Sequence, residues 1–578
     1  MTSSRTMFTA LFASALLAIS SAQEDYSPCP ILGPRYPQPV QVTASPFVQE
    51  ALQNLTAAFD VLILSGGDSS FTDTTPNTTT FSVALFDASD LADGSTPFFY
   101  EYHHVAPSFD NKTTVDAGSV YNVGGLSQFL TVYTFLASAG DDLWYEPITK
   151  YLPELNETSE EPAMKSVDWN HVLLIDLATH LAGIPRQATT DTISDIVPEG
   201  FATLLPQSLP KSSPNVTREG ILNILRTQRR AVYQPGTTPI YSDTAFQLLA
   251  LALEKINGES FGSTFVENIL SPLNITHTSV GTPRSNTGAI IPSDPLESGW
   301  QIQTLETALL AATGMFSTIS DISIIGKSIL CSTLLSPSTT NRWLKPHSYT
   351  SNPRNGVGMP FDIFTPTLSG GKIGPIIEIY TKYGAHGLYS PYFGLVPDHN
   401  VGFVILSADT DKAADLNAYA DLLAQYLIPA MERTAAAEAT VNYAGTYTSD
   451  DGASRMTIDV DGLSGLSVLN WTASREVDIK GAYAQLAGIP AETLDMRLYP
   501  TNIRDGTGNG TDLAFRAVLQ DVAAPADAGT PTCVTWSSGV DALVYNGVAL
   551  DEFVFGLDAK GGAVTVSIPA LEMTMRRE

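Results

Sequence analysis

Residues 121–155, YNVGGLSQFLTVYTFLASAGDDLWYEPITKYLPEL, decide how this chain is read. The stretch opens a helix on two glycines, Gly124 and Gly125. Residues three apart lie one turn along the same helical face, so Gly125 and Gln128 look the same way. Ser127 is rotated from Gly125 by about 200° and points elsewhere, while Thr131 shares the face nearly two turns deeper. Glycine carries no nucleophile, and glutamine accepts no proton near neutral pH.

Around this stretch lies a chain of 578 residues. Single cores stop growing near ~250–300 residues, so two domains are expected. Hydrophobic residues at 43% and charged residues at 16% describe an ordered globular protein. A net charge of -30 repels phosphate backbones and anionic lipid heads, which excludes nucleic acid as a partner. At the N-terminus, Arg5 precedes an apolar run from Phe8 to Ile19 and a small-residue cleavage site after Ala22. That pattern is a secretory signal over residues 1–22, and the run is too short for the ~20 residues that span a bilayer. A secreted, extracellular protein without a membrane span is expected. Sequons at Asn54, Asn77, Asn111, Asn156, Asn215, Asn274, Asn470 and Asn509 agree with a glycosylating pathway. Of three cysteines, Cys29 and Cys533 are expected to form a disulfide in an oxidising compartment, and Cys331, after an apolar helical run, is expected to be buried.

Residues 23–432 mix helical and strand patterns, and residues 443–578 read as strands and turns. In RMTIDV the residues Met456, Ile458 and Val460 fall on one face; in VTVSI, Val564, Val566 and Ile568 do the same. Residues 433–442 read as a linker, where an amphipathic helix beginning near Lys412 runs out. SDTAFQLLALALEKING is helical by its Ser-Asp start and closing Gly258. FGLVPDHNVGFVILSAD reads as a hairpin. The fold class is therefore α+β, a helix-flanked antiparallel sheet followed by a small all-β domain.

Four segments in one order carry a family resemblance: GSVYNVGGLSQFLTVYTFL, WNHVLLIDLATHLAGIPR, YQPGTTPIYSDTAFQLLA and YTKYGAHGLYSPYFGLVPDHNVGFVIL. Over roughly residues 40–430 the chain resembles the β-lactamase-related and penicillin-binding-protein-like serine hydrolases, and its tail resembles the accessory β-domain of secreted fungal members. The resemblance implies the β-lactamase/transpeptidase-like fold. In that family a serine at a helix start acylates, a lysine one turn on takes its proton, a tyrosine of the second motif assists, and backbone N–H groups hold the oxyanion. Here Gly125 stands at the serine position and Gln128 at the lysine position. Tyr241 and Lys382 match the remaining catalytic positions, and Gly384 completes Lys-x-Gly as KYG. Asp243 replaces the usual asparagine; it either pairs with Lys382 or caps the helix that follows. His386 could line the cleft, though a histidine in a turn is more often solvated. Ser127 and Thr131 are weak alternative nucleophiles.

No HExxH, CxxC or phosphate-loop pattern occurs, and the adjacent His103 and His104 cannot chelate one metal from a strand, so no cofactor or metal is implied. A small-molecule ligand or substrate is the expected partner. Three functions stay open. One is a hydrolase or acyltransferase of small esters, lactones or amides whose acyl-enzyme chemistry is lost or altered. A second is a non-covalent acid–base enzyme, an isomerase or cyclase of secondary metabolism, using Tyr241 and Lys382. The third is a non-catalytic binding protein in which Gly124 and Gly125 open room for a ligand.

Overall fold

A computed structural model describes residues 29–67, 75–88, 96–109, 114–156, 166–188, 217–302, 304, 306–366, 376–474, 477–506, 511–524 and 533–578. The leader at residues 1–22 and the sequons at Asn111, Asn215 and Asn509 lie outside them. The chain divides into two compact units, residues 48–366 with 378–428, and residues 1–47 with 367–377 and 429–578.

The larger unit is built on an eight-stranded antiparallel sheet. Its strands are β1 (Thr79–Asp87), β2 (Tyr100–His104), β3 (Ser348–Tyr349), β4 (Asn355–Val357), β5 (Asp362–Phe364), β6 (Ile379–Tyr383), β7 (Tyr389–Val396) and β8 (Val401–Asp409), in the order β2-β1-β8-β7-β6-β5-β4-β3. β7 and β8 form the expected hairpin, turned by Pro397–His399 and by Asn400 in the left-handed region at φ 53°. β1 and β8 are buried along nearly their whole length, which explains their unbroken apolar runs.

The quoted stretch begins with a 3₁₀ turn, Gly124–Leu126, and continues as α1 (Ser127–Ala139). Phe129 fixes this helix to the sheet, stacking on Phe393 of β7 at 4.6 Å and on Phe361 at 6.0 Å. Beside it, α2 (Asp243–Asn257) starts at Ser242, whose side chain accepts the Ala245 N–H, and stops at Gly258 with φ 76°.

The amphipathic helix of the C-terminal half, α3, spans Asn417–Tyr443. It starts later than Lys412, and residues 433–442, expected as a linker, are helical within it. In the second unit eight strands, β9 (Gly445–Ser449), β10 (Arg455–Asp459), β11 (Leu466–Ala473), β12 (Leu494–Asp505), β13 (Thr511–Asp521), β14 (Glu552–Leu557), β15 (Ala563–Ile568) and β16 (Met573–Arg577), pair in the order β10-β9-β16-β15-β14-β13-β12-β11. The β10–β11 pairing closes this series into an antiparallel barrel. Its interior is filled by Tyr447, Met456, Trp471, Phe515, Phe553 and Phe555, as an eight-stranded barrel permits. Met456 and Ile458 face inward as expected, but Val564 is 48% exposed. A register shift between Gly556 and Leu557 turns Ala563 inward in its place.

Residues 29–47 belong to this unit. Cys29 and Cys533 form a disulfide with Cα atoms 5.3 Å apart, Arg35 pairs with Glu432, and the Tyr36 hydroxyl donates to Leu463 O. Cys331, expected to be buried, is exposed, because it follows the last turn of the helix Ile319–Leu330 whose apolar face ends before it. No helix of the described residues is long and apolar enough to cross a membrane.

Phe129→Ala removes the ring that seats α1, and we expect a loss of about 3–5 kcal/mol in urea unfolding of the larger unit. A loss below about 1 kcal/mol would show that α1 is held by other contacts.

Candidate functional site

Gly125, Gln128, Tyr241, Asp243, Lys382 and Gly384 come together at the start of α1. The Gln128 amide donates to Tyr241 Oη at 2.7 Å and to Asp243 Oδ1 at 3.0 Å, and the Tyr241 hydroxyl donates to the same Asp243 oxygen at 2.9 Å. Asp243 therefore neither caps α2, a role taken by Ser242, nor forms the expected ion pair with Lys382. Its carboxylate is drawn to the two donors within reach. The Lys382 ammonium is fully buried and lies 3.6 Å from Asp362 Oδ2 on the neighbouring strand β5. That separation is an ion pair, too long for a hydrogen bond.

These contacts set the proton affinities. Burial, reinforced by the Asp243 carboxylate, pushes the Tyr241 phenol far above its usual range, so it keeps its proton and offers no base near neutrality. Burial pushes the Lys382 amine down, while Asp362 and Asp243 oppose that change.

The seat expected for a nucleophile is closed. Gly125 N–H donates to Gly384 O at 2.8 Å. A Cβ built on Gly125 would fall 2.6 Å from Tyr383 O and 2.9 Å from Gly384 Cα, and one on Gly124 would fall 2.2 Å from Gly384 O. The glycine pair does not open room for a ligand, as the sequence had suggested; it lets the backbone of β6 move into the place of a side chain. Both neighbouring hydroxyls are committed as well. Ser127 Oγ accepts the Met315 N–H at 3.2 Å, and Thr131 Oγ1 donates to Ser127 O and Ala311 O. Each is completely buried.

His386 is a half-buried residue at a tight turn. Its ring packs beside Gly299, its N–H donates to Tyr389 O, and burial lowers its proton affinity. Its backbone N borders the closed seat, and the Asp243 carboxylate partly offsets the effect of burial on its ring.

Three further residues complete the cluster without having been singled out in the sequence. His180 stacks on Tyr241 with ring centroids 4.8 Å apart, and its Nδ1 accepts the Ser242 N–H. Its backbone sits in the left-handed region at φ 60°. The Arg186 guanidinium lies 4.5 Å from the Tyr241 ring centroid, and Lys382 Nζ lies 5.0 Å from it. His180 and Arg186 fall in the quoted WNHVLLIDLATHLAGIPR segment, so their motif was the available signal. Asp362 has none, because its three-residue strand carries no periodicity. Among the described residues no group of three His, Cys, Asp or Glu side chains could hold a metal ion.

Burial holds the His180 ring proton affinity well below that of a free imidazole. The unfolded chain protonates near pH ~6.5 and the folded one lower, so this group's stabilisation is full above ~6.5 and declines as pH falls. Asn tolerates the left-handed backbone and can accept the Ser242 N–H. His180→Asn should therefore lose less stability between pH 7.5 and pH 5 than the parent, measured by denaturant midpoints. Equal losses would remove His180 as a source of acid sensitivity.

The family profile described as Beta-lactamase matches residues 91–427, and one described as Beta-lactamase-like-like, C-terminal domain, matches residues 435–578. A "Beta-lactamase-like protein" of Arthroderma benhamiae is 28% identical, covering 94% of this chain and 95% of its own. A "Probable hydrolase" of Cochliobolus lunatus is 24% identical, covering 83% and 82%. A solved β-lactamase/D-alanine carboxypeptidase of Yersinia pestis, complexed with citrate, aligns with a TM-score of 0.47 at 16% identity, covering 66% of this chain and 99% of that one. With the first profile spanning more than half of its length, this chain belongs to the β-lactamase family.

Proposed function

We propose that this protein is a secreted, glycosylated β-lactamase-family member that does not form an acyl-enzyme at position 125. One observation carries the reading: the backbone of Tyr383 and Gly384 occupies the space that a side chain at 125 would need, and Gly384 O takes up the Gly125 N–H. An oxyanion there would lack both its attacking group and one donor. Gln128 adds to this, since its amide is a donor where proton acceptance would be required. The hydrolase names of relatives suggest a hydrolysable small molecule as ligand, and the family resemblance points to small esters, lactones or amides. Export is supported by the leader-like N-terminus, and glycosylation by the exposure of Asn54, Asn77, Asn156, Asn274 and Asn470.

A second reading, acid–base catalysis without a covalent step, is favoured by one feature. Lys382 Nζ is buried beside Tyr241, its charge balanced by Asp362 at 3.6 Å and not held by a shorter hydrogen bond among the described residues, as a proton-transferring group would be.

A fluorophosphonate and a fluorescent penicillin should leave the protein unlabelled. The Gly125→Ser/Gln128→Lys variant should stay unlabelled too, because the new side chain meets backbone atoms that a rotamer change cannot clear. Labelling of the parent at Ser127 or Thr131 would overturn the reading. Labelling of the variant alone would show that β6 yields and the seat is open. Separately, an N-glycanase should reduce the mass of the secreted protein, and an unchanged mass would remove glycosylation from the proposal.

A further inference from the structure

With acylation at position 125 closed, the groups able to attack a ligand carbon are few. Ser127 and Thr131 are buried and hydrogen-bonded into the fold, and the Tyr241 proton is given to Asp243. Lys382 differs from all of them. Its Nζ is completely buried, makes no hydrogen bond among the described residues, and lies beside the Tyr241 ring. Among the described residues its ion-pair partner is the Asp362 carboxylate at 3.6 Å, and that side chain is 43% exposed. A buried amine whose carboxylate partner touches solvent has a proton exchanger beside it.

We propose that Lys382 is a carbonyl-reactive amine that forms an imine with a small aldehyde or ketone. This rests on the reading above that position 125 does not acylate. Asp362 takes a proton from the Lys382 ammonium, and the nitrogen lone pair adds to the carbonyl carbon. The nitrogen passes a second proton to the oxygen to give the carbinolamine, Asp362 returns the first to the same oxygen, and water leaves, so the product is the protonated imine. One C=N bond forms, one C=O bond breaks, and no oxidant or reductant is required. Asp362 serves as the proton carrier because Asp243 is held by Gln128 and Tyr241. The Tyr241 ring and the Arg186 guanidinium stacked on it favour a small polar carbonyl compound over a bulky apolar one. Desolvated lysines are known Schiff-base nucleophiles, and here burial and Arg186 act in that direction against Asp362 and Asp243.

The test uses the full-length secreted protein, with propanal as the carbonyl probe and cyanoborohydride to trap the imine, followed by peptide mapping. The exposed Lys150 and Lys560 are internal references. Lys382 should be alkylated faster than either at pH 7, because burial favours its neutral amine. Lys382→Arg should remove only that fast phase, and circular dichroism of the variant checks that it folds. Alkylation of Lys382 no faster than Lys150 and Lys560, or its absence once they are complete, overturns the proposal. The same preparation receives the fluorophosphonate. A labelled hydroxyl with a slow Lys382 defeats both readings, and an unlabelled protein with a slow Lys382 defeats the imine alone.

Discussion

The hydrogen bond from Gly125 N–H to Gly384 O is the constraint on which the site depends. It joins the start of α1 directly to the end of β6, backbone against backbone. Such an approach requires that neither residue carry a Cβ, and the space around both positions leaves no room for one. Gly384 also adopts φ +149°, a conformation that L side chains rarely take. The contact removes a nucleophile, a donor and a volume in one step.

The consequences spread through the neighbouring side chains. Where an ammonium would sit at position 128, the neutral amide donates twice, so Tyr241 and Asp243 are locked into one hydrogen-bonded unit. Asp243 is thereby withdrawn from Lys382, which turns to Asp362 on the adjacent strand. The balance is set by distance: the nearest donors take the carboxylate, and the lysine takes what is left. His180 and Arg186 pack around the Tyr241 ring and hold the phenol in place. What remains at the site is a desolvated amine in a family whose chemistry ordinarily begins with a hydroxyl.

The second unit follows a different logic. Each of its strands alone has two edges to satisfy. Pairing of β10 with β11 closes the series, and the aromatic core of Trp471, Phe515, Phe553 and Phe555 fills the enclosed space. The disulfide and the Arg35 and Tyr36 contacts then add residues 29–47 to this unit instead of to the residues that follow them in the chain.

Local information settled a good part of this protein from sequence. The start and stop of α2, the β7–β8 hairpin, the alternation of Met456 and Ile458, and the alignment of Gly125 with Gln128 each depend on residues a few positions apart, where propensity and periodicity act. Tertiary structure decided the rest. Filling of the seat by β6, the choice of Asp362 over Asp243, barrel closure and the inward turn of Ala563 arise from residues distant in the chain and adjacent in space. A sequence pattern shows that a side chain is gone; only packing determines whether its place is left open or taken by another part of the backbone.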